Sequence, residues 1–456
     1  MDCQQRKTKF NQKTAVEGIL RSFRRPISAA PGSSESRMNR GGATDRGYCS
    51  LKSLPEKDCR GIFRLVLDEG GPAFCQFAVT PLCNAQCGFC GFSRNVSRKG
   101  HDGHVDLERA IDAIDILYRN GVRYLVLTGG EPLMHPRLTT MVERASMLDM
   151  EIMVVTNGSL LSEKKVLELA EAGVAGLVIS IDAANVKAHE ENRGLPGVCE
   201  KIRRANALAG KLKITSTASV TISKLVDFDL LPAFLRSLGF NRVTFSYPLK
   251  WLGSSFRGYS QTDSIQFSED ELLSAFEKVI HMKKRFTVLN PTKSLEDMKR
   301  FVRGEPQRFP CLGGYRYFHL DWRLDLWRCH YWKTPICSIY DFNGGTRLSD
   351  GCTKCMIDCF RDSSTIHFVG ISIHDAWQAM AKRDFSAAAR AVFRKTNIDS
   401  LHAVIEEFHW IARSLLRLRA DPPFRRKKSI SNRSPRDKSM TPDFLRKVRK
   451  FFSTTG

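Results

Sequence analysis

Three cysteines stand close together in the stretch Thr80-Pro-Leu-Cys-Asn-Ala-Gln-Cys-Gly-Phe-Cys90. Their spacing, Cys83, Cys87 and Cys90, is C-x3-C-x2-C, and the aromatic Phe89 precedes the last of them. Thiolates are the usual ligands of iron–sulfur clusters, and a cubane cluster has four irons. Three local thiolates therefore hold three irons and leave one open. An open iron can chelate a small molecule and pass it an electron. A structural zinc site is the rival chemistry, but it needs four closed ligands, commonly from C-x2-C pairs. The next cysteine, Cys75, falls within a predicted strand. Packing alone gives no reason for three cysteines at this spacing.

Two further constellations follow. Thr128-Gly-Gly-Glu-Pro132 sets two glycines before a glutamate. The glycines let backbone approach a ligand closely, and Glu131 is then placed to accept hydrogen bonds. A tight turn before Pro132 is the plainer reading. Ser180-Ile-Asp182 is followed by His189 and by Arg193-Gly194. Here Asp182 reads equally well as a helix N-cap. Asn157, before Gly158, either faces a ligand or serves as a turn residue.

All of these residues need a scaffold that presents them together. From Phe74 to Pro248 the sequence alternates strand and helix patterns. Strands are expected at 74–80, 124–127, 151–155, 176–181, 212–221 and 241–247. Helices are expected at 105–120, 138–150, 163–172, 197–209 and 229–238. Such alternation implies a parallel sheet. The chemistry-bearing residues recur at carboxyl ends of successive strands, which is where barrels place their sites. The expected fold is α/β, a partial (β/α)6 TIM-like barrel over 70–300. A cysteine-rich unit is expected at 305–370, with an apparent hairpin at Tyr317–Cys329. A helical cap over 371–420 reads as two helices, Ala376–Phe393 and Ile398–Leu418.

The three motifs, in this order over about residues 74–248, resemble the radical S-adenosylmethionine (radical SAM) superfamily. The resemblance implies that Cys83, Cys87 and Cys90 hold a 4Fe-4S cluster. The open iron then binds the amino and carboxylate groups of S-adenosylmethionine, whose cleavage gives a 5′-deoxyadenosyl radical. Carried over residue by residue, Gly129, Gly130 and Glu131 hold the methionyl amino group, and Pro132 shapes their loop. Ser180 and Arg193 contact ribose and carboxylate, and an Arg–carboxylate fork suits the latter. Phe89 sits beside the adenine, and Asn157 is a further candidate for the cofactor site.

Six more cysteines fall within 49 residues: Cys311, Cys329, Cys337, Cys352, Cys355 and Cys359. C-x17-C, a gap, then C-x2-C resembles the SPASM/twitch extension, which carries auxiliary iron–sulfur clusters. Two departures stand out. The family usually has glycine five residues before the second cysteine, where this chain has Leu324. A full extension needs about seven cysteines for two clusters, so one second 4Fe-4S cluster is expected. Its leading ligands are Cys311, Cys329, Cys352 and Cys355, with Cys359 or Cys337 able to replace one. A zinc on the same thiolates is the alternative. Aromatics in Asp321-Trp-Arg-Leu-Asp-Leu-Trp327 either wall a substrate pocket or pack the hairpin.

Charge points elsewhere only weakly. The chain of 456 residues carries a net +23. Residues 1–60 hold 13 Lys/Arg against 6 Asp/Glu, and 421–456 hold 11 against 3. Most of the excess thus lies in two tails rich in Ser, Pro, Gly and Arg, which read as disordered. Nucleic acid is possible through those tails but not favoured. No run of eighteen apolar residues and no apolar N-terminal signal segment is found. That reads as cytoplasmic, where clustered cysteines favour metal over disulfides. The expected activity is hydrogen abstraction from a peptide or small-molecule substrate, giving an oxidation, cross-link or rearrangement. An electron donor such as flavodoxin or ferredoxin is implied. The alternatives are adenosyl addition to a lipid-like substrate and an RNA-modifying or RNA-binding iron–sulfur protein.

Overall fold

The structure is a computed structural model that describes residues 62–94, 103–248 and 263–407. Both basic tails, and the part of the expected helix Ile398–Leu418 beyond 407, lie outside the described residues.

Helix α1 (Ile62–Glu69) leads into strand β1 (Ala73–Ala78), and the short helix α2 (Gly91–Arg94) follows the cysteine loop. Five strand–helix repeats come next. They comprise α3 (Leu107–Arg119), β2 (Val122–Thr128), α4 (Leu138–Met147), β3 (Glu151–Thr156), α5 (Glu163–Ala172) and β4 (Gly176–Ile181). They continue through α6 (Val186–Arg193), α7 (Val198–Lys211), β5 (Thr215–Thr221), α8 (Leu231–Ser237) and β6 (Arg242–Ser246). The helix starts obey local chemistry. Asp106, Ser162 and Asn185 each cap a helix by accepting a backbone N–H three residues on. Gly173 ends α5 in the left-handed conformation that glycine adopts without penalty.

Strands β1 to β6 pair in sequence order and all in parallel, so the partial α/β barrel is present. Its edges are extended beyond the six expected strands. After α9 (Glu269–Met282), the two-residue β7 (Thr287–Val288) joins β6. After α10 (Thr292–Val302), β8 (Tyr317–Leu320) pairs in parallel with the free edge of β1. Strand β9 (Asp325–Trp327) then turns back antiparallel on β8, and β10 (Cys337–Ser338) pairs with β9. The expected hairpin therefore exists, but it continues the barrel sheet on the side of β1.

Burial alternates along β2, β3, β4 and β6. One face, with Leu125, Leu127, Ile152, Val154, Ile179 and Phe245, is fully buried against the helices. The other face of these four strands is half-buried. In the helical layer, Arg144 of α4 donates Nε and Nη2 to the two oxygens of Asp115 on α3, at 2.8 and 2.6 Å. Breaking such a buried pair costs about 3–5 kcal/mol.

The C-terminal helices differ from expectation. Helix α11 spans Asp358–Ala381, α12 Phe385–Val392 and α13 Lys395–Glu406. Thus α11 begins well before Ala376 and runs through the expected 370/371 boundary. Its first half is rich in Ser, Thr and β-branched residues, which are weak helix formers. Tertiary burial overrides that preference: Phe360, Arg361, Ser364, Thr365 and Phe368 are all buried. Ser364 and Thr365 donate their hydroxyls to carbonyls four residues back, at 2.5 and 3.2 Å.

Candidate active site

The segment after β1 is held by the ends of three other strand–helix units. From β2, Gly130 N–H donates to Thr80 O at 2.8 Å and Glu131 N–H to Leu82 O at 2.7 Å. From β3, Asn157 Nδ2 donates to Asn84 Oδ1 at 2.8 Å, while Asn84 Nδ2 donates to Ser159 Oγ at 2.8 Å. From α6, Arg193 O accepts the Gln86 N–H at 2.7 Å. The cysteine loop is thus tied down at Thr80, Leu82, Asn84 and Gln86, between and before its thiols.

The two glycines do their work here. Gly129 has φ +138°, and a Cβ there would lie 2.3 Å from Thr80 O. A Cβ on Gly130 would lie 2.2 Å from Leu82 O. The close approach they permit within the chain is to the cysteine loop itself. Pro132 opens a single 3-10 turn, Pro132–Met134, and is buried.

Glu131 is fully buried. Its Oε1 accepts from Leu133 N–H at 3.1 Å and from Thr156 Oγ1 at 2.8 Å, and its Oε2 accepts from Asn157 N–H at 2.7 Å. Burial raises its pKa, while these donors and the Arg193 charge oppose that shift. A carboxylate offers about four acceptor positions, so Oε2 keeps capacity for one further donor.

Arg193 and Asp182 form a buried pair, with Nη2 to Oδ1 at 2.7 Å. Asn192 Nδ2 donates to the other Asp182 oxygen at 2.8 Å, and Asp182 N–H donates to His189 Nδ1 at 3.1 Å. Burial, then the Arg193 charge, lowers the His189 pKa to about 4. The sequence left Asp182 and His189 open; the structure makes Asp182 the partner of Arg193 and His189 the acceptor of the Asp182 N–H. Arg193 Nε and His189 Nε2 are buried polar atoms without a protein partner. Ser180 is half-buried on the interior face, in register with Ser219 of β5. Phe89 is half-buried within the cysteine loop.

Cys87 is buried, and Cys83 and Cys90 are half-buried. Burial pushes the Cys83 thiol up to about 11 and the Cys87 thiol to about 12. Each is raised further by the Cys90 charge and lowered by the nearby Arg193 guanidinium. Three mutually interacting thiols beside one buried cation fit an iron–sulfur cluster, whose ligands must be thiolates. The orphaned Arg193 Nε and the spare Glu131 oxygen fit a ligand with a carboxylate and an ammonium group. Among the described residues, no three His, Cys, Asp or Glu side chains gather as they would around a single metal ion.

The second cysteine group forms where β8, β9 and α11 meet. Cys311 N–H donates to Cys352 O at 2.8 Å. Cys329 and Cys355 share a buried cluster with Tyr317, Ile357 and Phe360, and Cys311 and Cys359 pack against it. Charge on Cys311 raises the pKa of Cys329, Cys355 and Cys359 alike, after burial as the main cause. Cys337 lies apart on β10, packed against the barrel core. Arg361 is buried beneath the group, donating to Phe309 O at 2.6 Å, Asp297 Oδ2 at 3.1 Å and Cys352 O at 3.3 Å. Trp322 and Trp327 are buried, with Trp327 Nε1 donating to Asp321 Oδ2 at 2.9 Å. Trp327 is thereby tied to the hairpin, while Trp322 meets the Phe92 ring edge-on, with centroids 6.2 Å apart, just after the cysteine loop.

Thr80, Asn84, Gln86 and Thr156 position the site but were not singled out from the sequence. A polar residue inside a C-x3-C-x2-C loop carries no signal of which neighbouring strand end it meets.

Comparison with known proteins agrees with this architecture. The radical SAM superfamily matches residues 77–229. A GTP 3′,8-cyclase of Aquifex aeolicus is 30% identical over 233 residues, covering 49% of this chain and 68% of the relative. An AdoMet-dependent heme synthase of Oleidesulfovibrio alaskensis is 28% identical over 170 residues, covering 37% of this chain and 42% of that protein. Among solved structures, native anSMEcpe with bound AdoMet overlays with a TM-score of 0.47 at 13% identity, covering 76% of this chain and all of that one. The chain belongs to the radical SAM superfamily. The cofactors of that superfamily are a 4Fe-4S cluster and S-adenosylmethionine. The chain spans less than half the length of the heme synthase it matches. No helix among the described residues is long and apolar enough to cross a membrane.

Proposed function

We propose that this protein reductively cleaves S-adenosylmethionine at a 4Fe-4S cluster ligated by Cys83, Cys87 and Cys90. The cluster and cofactor together supply a 5′-deoxyadenosyl radical, and the protein positions and shields it. The single observation that carries the reading is the convergence of Gly130, Glu131, Asn157 and Arg193 on the cysteine loop. Glu131 Oε2 would accept from the cofactor's ammonium group, and Arg193 Nε would donate to its carboxylate. Asp182 holds Arg193 in place, and His189 accepts the Asp182 N–H. Ser180 offers a hydroxyl to the ribose, and Phe89 lies against the adenine.

The substrate is a peptide or small metabolite that loses a hydrogen atom in the barrel interior. Cys311, Cys329, Cys352 and Cys355, with Cys359 beside them, would hold a second 4Fe-4S cluster, which would supply an electron acceptor for the product radical. That favours an oxidation or a cross-link. Flavodoxin or ferredoxin supplies the electron for cleavage.

Anaerobically reconstituted protein, given a reductant and S-adenosylmethionine, should release 5′-deoxyadenosine. Replacing Cys83, Cys87 and Cys90 together by Ala should abolish that product. Undiminished release from the triple variant would overturn the assignment.

A further inference from the structure

We infer that the outer face of helices α11–α13 docks on an anionic membrane surface. Among the described residues, fifteen large apolar side chains are exposed, and nine of them lie between 373 and 405. That concentration sets the face apart from the singly scattered apolar residues normal on any surface. On α13 the exposed residues Ile398, Leu401 and Ile405 recur at helical spacing, opposite the buried Ser400 and Ala403. On α11, Trp377 and Met380 stand three residues apart, next to the buried Ala376. Phe385 is 69% exposed and Phe393 84% exposed, at the two ends of α12.

The surroundings of these side chains choose the occupant. Lys382, Arg383, Arg390, Arg394 and Lys395 are exposed among them, against the exposed acids Asp384 and Glu406, with Arg394 paired to Asp375 at 3.2 Å. The chain that follows the last described residue, 408–456, holds 14 Lys/Arg against 3 Asp, a net of +11. Its first part interleaves Trp410, Ile411, Leu415 and Leu418 with Arg413, Arg417 and Arg419. Apolar side chains set among Lys and Arg are the composition of a surface that enters the headgroup region of anionic lipid. A second copy of this chain fits poorly, because it would bring a second segment of net +11 against the first. Nucleic acid would use the cations but leave the aliphatic stripe of α13 without a partner.

Sedimentation of the full chain with vesicles tests this. Vesicles of phosphatidylcholine with about 30 mol% phosphatidylserine should bind it at least about tenfold more tightly than phosphatidylcholine alone. Binding should weaken as salt rises past about 0.1 M. A Phe385→Ser/Phe393→Ser variant should bind the anionic vesicles roughly tenfold less, with an unchanged thermal melt, because both side chains are exposed. Equal binding by parent and double variant would mean that the basic tail acts alone, and would overturn the assignment of this face. So would absence of anionic-vesicle binding, or a dimer in light scattering that the double variant converts to monomer.

Discussion

The carboxylate of Glu131, in the turn after β2, accepts the backbone N–H of Asn157 at the end of β3, at 2.7 Å. The same carboxylate takes the Thr156 hydroxyl and the Leu133 N–H. It is therefore a clamp between two strand ends as well as the proposed cofactor ligand. Glutamine at this position keeps one acceptor oxygen and turns an amide NH2 toward a donor. If the oxygen stays with Thr156 and Leu133, the NH2 meets the Asn157 N–H. Glu131→Gln should therefore cost about 1–3 kcal/mol of stability, roughly 2–4 °C in Tm for each kcal/mol. It should also weaken S-adenosylmethionine binding about tenfold to a hundredfold, without changing iron content. Thr156→Ala should destabilise by about 1 kcal/mol and leave affinity nearly unchanged. Melting curves and equilibrium titrations separate the two roles. An unchanged dissociation constant for Glu131→Gln would leave the clamp and remove the ligand.

The cysteines of the second unit divide by position. Cys359, at the start of α11, joins the cluster of Cys311, Cys329 and Cys355, while Cys337 packs against the barrel core. In a background lacking Cys83, Cys87 and Cys90, the chain should keep about four irons and stay brown. Adding Cys355→Ala should remove them. Adding Cys337→Ala should not, since it stands outside the group. Retention with Cys359→Ala would confirm the Cys311, Cys329, Cys352 and Cys355 set, and loss would place Cys359 among the ligands. A colourless protein with about one zinc would replace the cluster by a structural metal.

Leu324 stands where the SPASM/twitch pattern that the sequence resembles has glycine, and its backbone is of the kind glycine adopts freely. Its φ is +71°, in the left-handed region of the tight turn between β8 and β9. A residue with a Cβ is strained there by about 1–2 kcal/mol. Leu324 is nevertheless 1% exposed and part of the main core, and truncating a buried leucine costs about 2–5 kcal/mol. Packing outweighs the strain. Leu324→Gly should thus destabilise by roughly 1–3 kcal/mol in denaturant titration. A stabilised variant would mean that the leucine packs poorly.

Much of the barrel was legible because its signals are local. The alternation of strand and helix patterns between Phe74 and Pro248 follows from periodicity and from caps such as Gly173. The cysteine loop and Glu131 were visible as motifs of fixed spacing. What stayed hidden depends on contacts distant in sequence. Nothing in Tyr317–Leu320 announces that it pairs with Phe74–Phe77, some 243 residues earlier. The Ser/Thr-rich start of α11 reads as loop until Tyr317, Asp297 and Phe309 are known to surround it. The pairing of Asp182 with Arg193 likewise needs the turn of α6 to bring two ends of one segment together.

Glu407 supplies a pH test of the fold that is independent of any cofactor. Burial is the main cause that pushes its pKa up, from an ordinary 4.5 to about 8. The Lys283 ammonium, 4.0 Å away, opposes the shift, and Glu406 adds to it. A raised folded pKa means that the folded protein holds the proton more tightly than the unfolded chain. The corresponding stability is fully present below pH 4.5 and is lost as pH rises through about 8. Glutamine mimics the protonated acid at every pH. Lys283 keeps Glu406 as its partner, so the substitution leaves no unpaired buried cation. Glu407→Gln should match the parent in Tm near pH 5. Above pH 8 it should exceed the parent by about 1–2 kcal/mol, roughly 2–8 °C. Melting curves at both pH values check this. A variant less stable than its parent at alkaline pH would show that the carboxylate is stabilised by Lys283 more than it is penalised by burial.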